Sequence, residues 1–194
     1  AGWMWDAERD SSSAQLSGLS FRRNYIDFKL TPASSNIGSP VIIEAFPKTS
    51  YVNLRNDLIT VNGETDSEWS YGRDRATNDC WFEGVYSTRI GVKERFLTIH
   101  NPTLFTVHVL KERLMERGIM VNGNPVDADD LTDSIDYEQT KKLFTFVSNP
   151  LSDIIIKTNQ PSQNFIAETL LKTLGKEFGV EGSANEGVKG QMAL

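Results

Sequence analysis

The sequence predicts an α+β fold, with a β-rich segment over residues 1–97 and a helix-containing segment over residues 98–194. The first indication is an alternation of apolar and polar residues, clearest over residues 25–30, which is typical of a half-buried strand. The second is a change to helical spacing further on, where Asn101 suits a helix N-cap and Pro102 suits the first turn. Several short strands at regular spacing before this change favour a small sheet or a barrel-like β domain.

Strands are predicted in the first segment wherever this alternation or an apolar run recurs, at residues 16–21, 25–30, 41–46, 51–61, 81–86 and 87–97. A cluster of Ser, Gly and Pro over residues 31–40 predicts a turn, and Asn62-Gly63 predicts a tight turn after the 51–61 strand. Residues 67–79 are polar and carry charges of both signs, so they are predicted to form a connector or a hairpin tip.

The second segment is predicted to contain a helix from Pro102 to a C-cap at Gly118. Short strands are expected at residues 119–121 and 143–147, and further helices within residues 151–174 and from about Asn185 onward.

The helical run over residues 151–174 is interrupted at Pro161. Proline disfavours a helical conformation in the residue before it but is well placed at the start of a new helix. The side-chain oxygens of Ser162 and Asn164 would then lie at a helix N-terminus, where they can cap free backbone N–H groups. Gly175 is predicted to end this helix.

The composition narrows the possible functions. A net charge of −6 and the lack of a Lys/Arg cluster give no support for nucleic-acid binding. No apolar run approaches the roughly 20 residues that a membrane-spanning helix needs, and no signal peptide is recognisable. The abrupt start without methionine and the end inside a predicted helix lead us to expect a piece of a longer chain.

No metal or cofactor is predicted. Cys80 is the only cysteine, so it cannot form an intrachain disulfide, and its neighbours offer no basic group to activate the thiol. His100 and His108 lack the His-Glu-x-x-His spacing of a metal site, and His108 is predicted to pack on its helix. The aspartates over residues 127–136 lack the spacing of a calcium loop and are predicted to form a solvated face.

The segment Ser162-Gln163-Asn164 resembles the Ser-x-Asn motif of the penicillin-recognising serine enzymes. The flanking residues Ser148–Ile154 and Asn164–Glu168 resemble one branch of that group, the low-molecular-mass class C penicillin-binding proteins, which are D-alanyl-D-alanine carboxypeptidases and endopeptidases. In the first segment, Gly2–Asp6, Ala14–Ser20 and Thr49–Val52 resemble the same enzymes. A second Ser-x-Asn, Ser34-Ser35-Asn36, lies in the turn cluster and is predicted to be only a turn.

The resemblance implies that residues 1–97 are an accessory β domain inserted into a transpeptidase-like catalytic domain, of which residues 98–194 are a part. It implies a periplasmic or other extracytoplasmic serine peptidase that forms an acyl-enzyme with peptidoglycan peptides ending in D-Ala-D-Ala and with β-lactams. It assigns a proton-relay role to Ser162 and the orientation of substrate and catalytic lysine to Asn164. The oligomeric state stays open.

The two other motifs of the family are missing from the sequence. No serine is followed by a lysine three residues later, and each Lys-Thr pair lacks the glycine of Lys-Thr-Gly: Lys48-Thr49-Ser50, Lys157-Thr158-Asn159 and Lys172-Thr173-Leu174. We therefore expect these residues to be an inactive fragment of the enzyme. The alternative is a non-catalytic cell-wall module of the same fold, which binds peptidoglycan or a partner. A Ser-x-x-Lys upstream and a Lys-Thr-Gly downstream in the parent gene would favour the enzyme.

Overall fold

The computed structural model describes residues 7–133, 135–142 and 144–192. Its strands are β1 (Tyr25–Thr31), β2 (Ile42–Phe46), β3 (Asn53–Val61), β4 (Glu68–Arg73), β5 (Asp79–Ser87) and β6 (Lys93–Thr98). Its α-helices are α1 (Pro102–Glu116), α2 (Leu151–Asn159), α3 (Asn164–Phe178) and α4 (Ala184–Met192). The predicted α+β fold class is confirmed, with strands up to Thr98 and α-helices from Pro102. No helix of the described residues is both long and apolar enough to cross a membrane.

The strands form two three-stranded sheets. One sheet has the order β2-β1-β6 and is antiparallel throughout. The other has the order β3-β5-β4, in which β5 pairs in parallel with β3 and antiparallel with β4. The chain therefore runs from β3 across the sheet to β4 and returns through a hairpin to the central strand β5.

We call the compact part of the chain that ends at Gly123 the β unit. Its hydrophobic core lies between these sheets and helix α1. Alternate residues of β1, Ile26, Phe28 and Leu30, are fully buried, as the predicted period of two requires. The ring of Phe28 meets that of Phe82 on β5 edge to face, with centroids 5.2 Å apart. Helix α1 contributes Phe105 and Val109 to the same core.

Both predicted ends of α1 are confirmed. Asn101 accepts a hydrogen bond at its side-chain oxygen from the backbone N–H of Leu104, at 3.0 Å, and so caps the N-terminus. At the C-terminus Gly118 has a φ of +78°, a left-handed conformation that glycine adopts without steric cost. Its N–H donates to the carbonyl of Met115, and the N–H of Ile119 donates to that of Leu114.

The described residues up to Gly123 belong to one compact unit, and those from Asn124 onward belong to a second. The first unit thus includes α1 and extends beyond residue 97, because the buried side chains of Phe105 and Val109 join its core. The division into an accessory domain (1–97) and a catalytic domain (98–194) stays a prediction.

The second unit contains α2, α3 and α4, with α3 and α4 packed closely together. Gly175 was predicted to end α3, which is wrong: it lies buried inside the helix, which continues to Phe178. Glycine is needed there because an added Cβ would lie 2.8 Å from the backbone nitrogen of Gly187 on α4. A Cβ on Gly187 would meet the carbonyl oxygen of Leu171. The absence of side chains at both positions allows the two helix backbones to approach.

Three predicted strands are wrong, and one strand was missed. Residues 16–21 form turns in which the Ser17 and Ser20 hydroxyls bond to nearby carbonyls, a local alternative to strand pairing. The N–H of Ile119 closes helix α1 instead of entering a strand at residues 119–121. Leu143 lies outside the described residues, and residues 144–147 are exposed and unpaired with any strand. Strand β4 occupies part of the segment that was predicted to be a connector.

Candidate active site

The Ser-x-Asn segment lies in the turn between α2 and α3. Helix α2 ends at Asn159, whose carbonyl accepts a hydrogen bond from the backbone N–H of Ser162 at 3.3 Å. The N–H of Gln163 donates to the carbonyl of Thr158 at 2.8 Å. These two bonds let the chain leave α2 and begin α3 at Asn164, close to the start that Pro161 predicted.

Ser162 adopts a left-handed backbone conformation, with a φ of +55°, and its side chain is exposed. This conformation costs a residue other than glycine roughly 1–2 kcal/mol, because its Cβ approaches the next carbonyl. The backbone bonds on either side hold the residue there. Strained residues of this kind concentrate at functional sites, so the observation directs attention to this serine.

The predicted side-chain cap at the start of α3 is wrong. The N-cap position is occupied by Gln163, and no side-chain cap hydrogen bond closes this helix terminus. Asn164 is the first helical residue, and it is exposed. The catalytic roles of Ser162 and Asn164 stay predictions.

The second Ser-x-Asn segment is a turn, as predicted. The N–H of Ser34 donates to the carbonyl of Pro32, and that of Asn36 donates to the carbonyl of Ala33. Both residues are exposed, but they lie in the β unit between β1 and β2 rather than at the start of a helix. Ser34 therefore offers a control position for experiments on Ser162.

The segment Lys48-Thr49-Ser50 lies before β3 and packs against α1. Glu112 on α1 accepts hydrogen bonds from the backbone N–H of Ser50 at 2.8 Å and from its hydroxyl at 2.7 Å. His108 places Nε2 2.9 Å from Ser50 Oγ and 3.2 Å from Glu112 Oε1. We call Ser50, His108 and Glu112 the Glu112 cluster. Sequence reasoning missed it, although the spacing of His108 and Glu112 places them on one helix face.

The Glu112 cluster contains the residue types of a serine-hydrolase triad but not its geometry. In a triad the histidine lies between the two partners, with one ring nitrogen facing the serine and the other facing the carboxylate. Here Ser50 and Glu112 both contact Nε2 of His108, and Ser50 bonds directly to Glu112. The arrangement fastens the segment that precedes β3 to helix α1, and it leaves Ser50 without a separate general base.

The Glu112 cluster predicts acid-sensitive stability of the β unit. Burial by itself raises the pKa of Glu112, but hydrogen bonds from Ser50 and Thr49 and the nearby His108 outweigh it and lower the pKa below 4.5. The cluster therefore stabilises the fold fully above that pH, and this contribution is lost as the pH falls through the lowered pKa. We expect Glu112→Gln to be less stable than the parent chain near pH 7 and to lose less stability on acidification. Urea unfolding between about pH 3 and pH 7 measures both effects.

The matched control is Glu64→Gln, at an exposed position in the turn after β3. This variant should keep the pH dependence of the parent chain. An unchanged pH dependence in Glu112→Gln would show that the Glu112 cluster does not contribute to acid sensitivity.

Cys80 lies on β5 as a fully buried side chain. Burial raises the pKa of its thiol to about 12, and the nearby Arg73 offsets only part of this effect. A thiol with this pKa stays protonated at neutral pH, which excludes Cys80 as a nucleophile.

Comparison with known proteins relates almost the whole chain to one family of enzymes. The sequence model of the D-Ala-D-Ala carboxypeptidase 3 (S13) family matches residues 1–192. The D-alanyl-D-alanine carboxypeptidase of Actinomadura sp. (strain R39) is 24% identical over 198 residues, which cover 97% of this chain and 35% of that protein.

Solved structures agree with this match. Penicillin-binding protein 4 from Haemophilus influenzae superposes with a TM-score of 0.68 at 16% identity, over 99% of this chain and 41% of that one. A second structure of that protein, in complex with a β-lactam, gives a TM-score of 0.59 at 15% identity, over 90% and 39% of the two chains. The chain thus spans about two-fifths or less of the length of these relatives. The predicted resemblance and the partial penicillin-binding fold are confirmed.

Proposed function

Because the chain belongs to the D-Ala-D-Ala carboxypeptidase 3 (S13) family, we propose that it is part of a serine-type D-Ala-D-Ala carboxypeptidase or endopeptidase. The complete enzyme would act outside the cytoplasm on peptidoglycan peptides that end in D-Ala-D-Ala, through an acyl-enzyme. β-Lactams would acylate the same serine. The observation that carries the proposal is the Ser162-Gln163-Asn164 turn, which presents an exposed, left-handed serine immediately before helix α3.

In this proposal Ser162 relays a proton and Asn164 orients the reactants. A serine hydroxyl can both donate and accept a hydrogen bond, so it can pass a proton to the leaving amine. The amide of Asn164 likewise offers donors and an acceptor, which suit a peptide group of the substrate and the catalytic lysine. The exposure of both residues leaves them accessible to such partners.

The nucleophile would come from outside these 194 residues, since the sequence contains no Ser-x-x-Lys and no Lys-Thr-Gly. The burial of hydrophobic residues in the two compact units is consistent with an active site that another segment completes. Every buried hydrophobic residue of the described chain lies at or before Val109, in the first unit. In the second unit Phe144, Phe146 and Val180 are 78%, 87% and 88% exposed. We infer that further polypeptide of the complete enzyme covers this apolar surface.

The 194-residue chain alone is expected to be inert. It should release no D-alanine from a peptide ending in D-Ala-D-Ala, and it should gain no mass from a β-lactam, because it lacks the acylating serine. Intact-protein mass spectrometry after incubation with a penicillin measures the second point directly. The complete enzyme, treated in parallel, should carry one covalent adduct. A stable penicilloyl adduct on the isolated chain would contradict the assignment of the nucleophile to another segment.

A further inference from the structure

Helix α3 carries a second polar side chain on the face that begins with Asn164. Glu168 follows four residues later, so the two side chains lie one helical turn apart. Glu168 is partly buried, whereas its neighbours Ala167 and Thr169 are exposed. One oxygen of its carboxylate, Oε2, is thus buried close to the Ser-x-Asn turn.

One oxygen of this carboxylate has no donor. Glu168 Oε2 is buried and makes no hydrogen bond within the part of the chain that the structure describes. Lys172 lies one turn further along α3, in the favourable order for an ion pair within a helix, yet it does not satisfy this oxygen. A buried acceptor without a donor is destabilising, and a buried charge without a partner is more so. Native proteins retain few such groups, and those that remain call for an explanation.

We propose that Glu168 is a positioning residue of the Ser-x-Asn site. Its carboxylate would pair with a cationic N–H donor, a guanidinium or an ammonium group, on the polypeptide that covers the first two turns of α3 in the complete enzyme. This inference rests on the proposed function. It explains why Glu168 keeps a buried oxygen without a donor: the partner would belong to another segment of the same enzyme. A cationic partner fits because a buried carboxylate needs both charge and hydrogen bonds to be compensated.

The pairing would fix the start of α3, and with it Ser162 and Asn164, relative to the segment that carries the nucleophile. Catalytic groups must be placed closely, since a misplacement of about 1 Å costs on the order of 10²-fold in rate. Glu168 would not touch the substrate. Its removal should therefore lower kcat much more than it raises KM.

The test compares Glu168→Gln and Glu168→Ala in the complete enzyme, with Glu177→Gln as the control at an exposed position on the same helix. We expect both Glu168 variants to lower kcat for a D-Ala-D-Ala peptide on the order of 10²-fold, with little change in KM. They should also lower the Tm of the complete enzyme. Glutamine, which keeps the shape and an acceptor oxygen but not the charge, should retain more activity than alanine. Glu177→Gln should match the parent enzyme in all three quantities.

The same substitutions in the 194-residue chain supply the second comparison. Here Glu168 Oε2 has no donor among the described residues, so hydrogen exchange of the α3 amides should be unchanged or slower in Glu168→Gln. If exchange is faster there, by a factor that corresponds to the loss of stability in the complete enzyme, the partner lies within this chain. That result would overturn the proposal. Parental kcat in both Glu168 variants, alongside slow turnover in Ser162→Ala, would overturn this proposal alone. Parental turnover in Ser162→Ala would overturn the proposed function and this inference with it.

Discussion

Replacing Ser162 by alanine in the complete enzyme is expected to slow acylation by a β-lactam on the order of 10²–10⁴-fold, the usual effect of losing a positioned proton-transfer group. Deacylation should slow as well, because the relay serves both leaving-group protonation and the attack of water. The structure gives no cap hydrogen bond for Ser162→Ala to remove, so the melting temperature should hardly change. Stopped-flow acylation and thermal unfolding, measured on the same preparation, separate the two effects.

Two further variants complete this experiment. Asn164→Ala should also slow acylation, and its kcat/KM should fall further for peptides than for small β-lactams, because peptides depend more on the orienting amide. Ser34→Ala, in the turn with the same Ser-x-Asn pattern, should leave acylation at the parental rate. If both Ser162→Ala and Asn164→Ala are acylated at the rate of the parent enzyme, this segment does not belong to the active site.

Replacing Arg73 by methionine is expected to lower the free energy of unfolding of the chain by about 3 kcal/mol or more, as for other broken buried ion pairs. The Arg73 side chain is 1% exposed and places Nη2 3.0 Å from Glu8 Oε1. It also donates to the hydroxyl of Thr98 and to the carbonyl of Thr77. Methionine fills much of the space but leaves Glu8 and these acceptors without their donor. Urea unfolding at neutral pH measures the loss.

The matched control for Arg73 is Arg55→Met on β3. Arg55 forms ion pairs with Asp57 and Glu83 at 3.2 Å each, but its side chain is 61% exposed. Exposed pairs of this kind contribute about 0–1 kcal/mol, because water and salt screen them. If Arg55→Met and Arg73→Met cost the same, burial of the Arg73 pair is not what makes it important.

The sequence was sufficient to predict elements whose signal lies within a few consecutive residues. The alternation over residues 25–30 predicted β1 because one face of that strand is buried and the other is not. The caps of α1 were predictable since Asn101 and Gly118 act within a few residues of the chain. Strand β4 was missed although Trp69 and Tyr71 alternate with polar residues, because the surrounding charges obscured the signal.

Features that join distant parts of the chain could not be read from the sequence. The parallel pairing of β3 with β5 depends on where β4 places the returning chain. The Glu112 cluster joins Ser50 to α1 across a long stretch of sequence. In the candidate site, the position of Ser162 just before α3 could be predicted from the sequence. Its left-handed conformation was not predictable, since local energetics disfavour that conformation for serine.

The most direct measurement of the central claim is the acylation rate of Ser162→Gly beside that of Ser162→Ala in the complete enzyme. Both variants lack the hydroxyl, but glycine adopts the left-handed conformation without steric cost, whereas alanine keeps the strain. If the hydroxyl relays a proton, both variants should acylate equally slowly, on the order of 10²–10⁴-fold below the parent enzyme, even though the glycine variant is the more stable of the two. Acylation of Ser162→Gly at the parental rate would contradict the relay, because backbone geometry alone would then account for this residue.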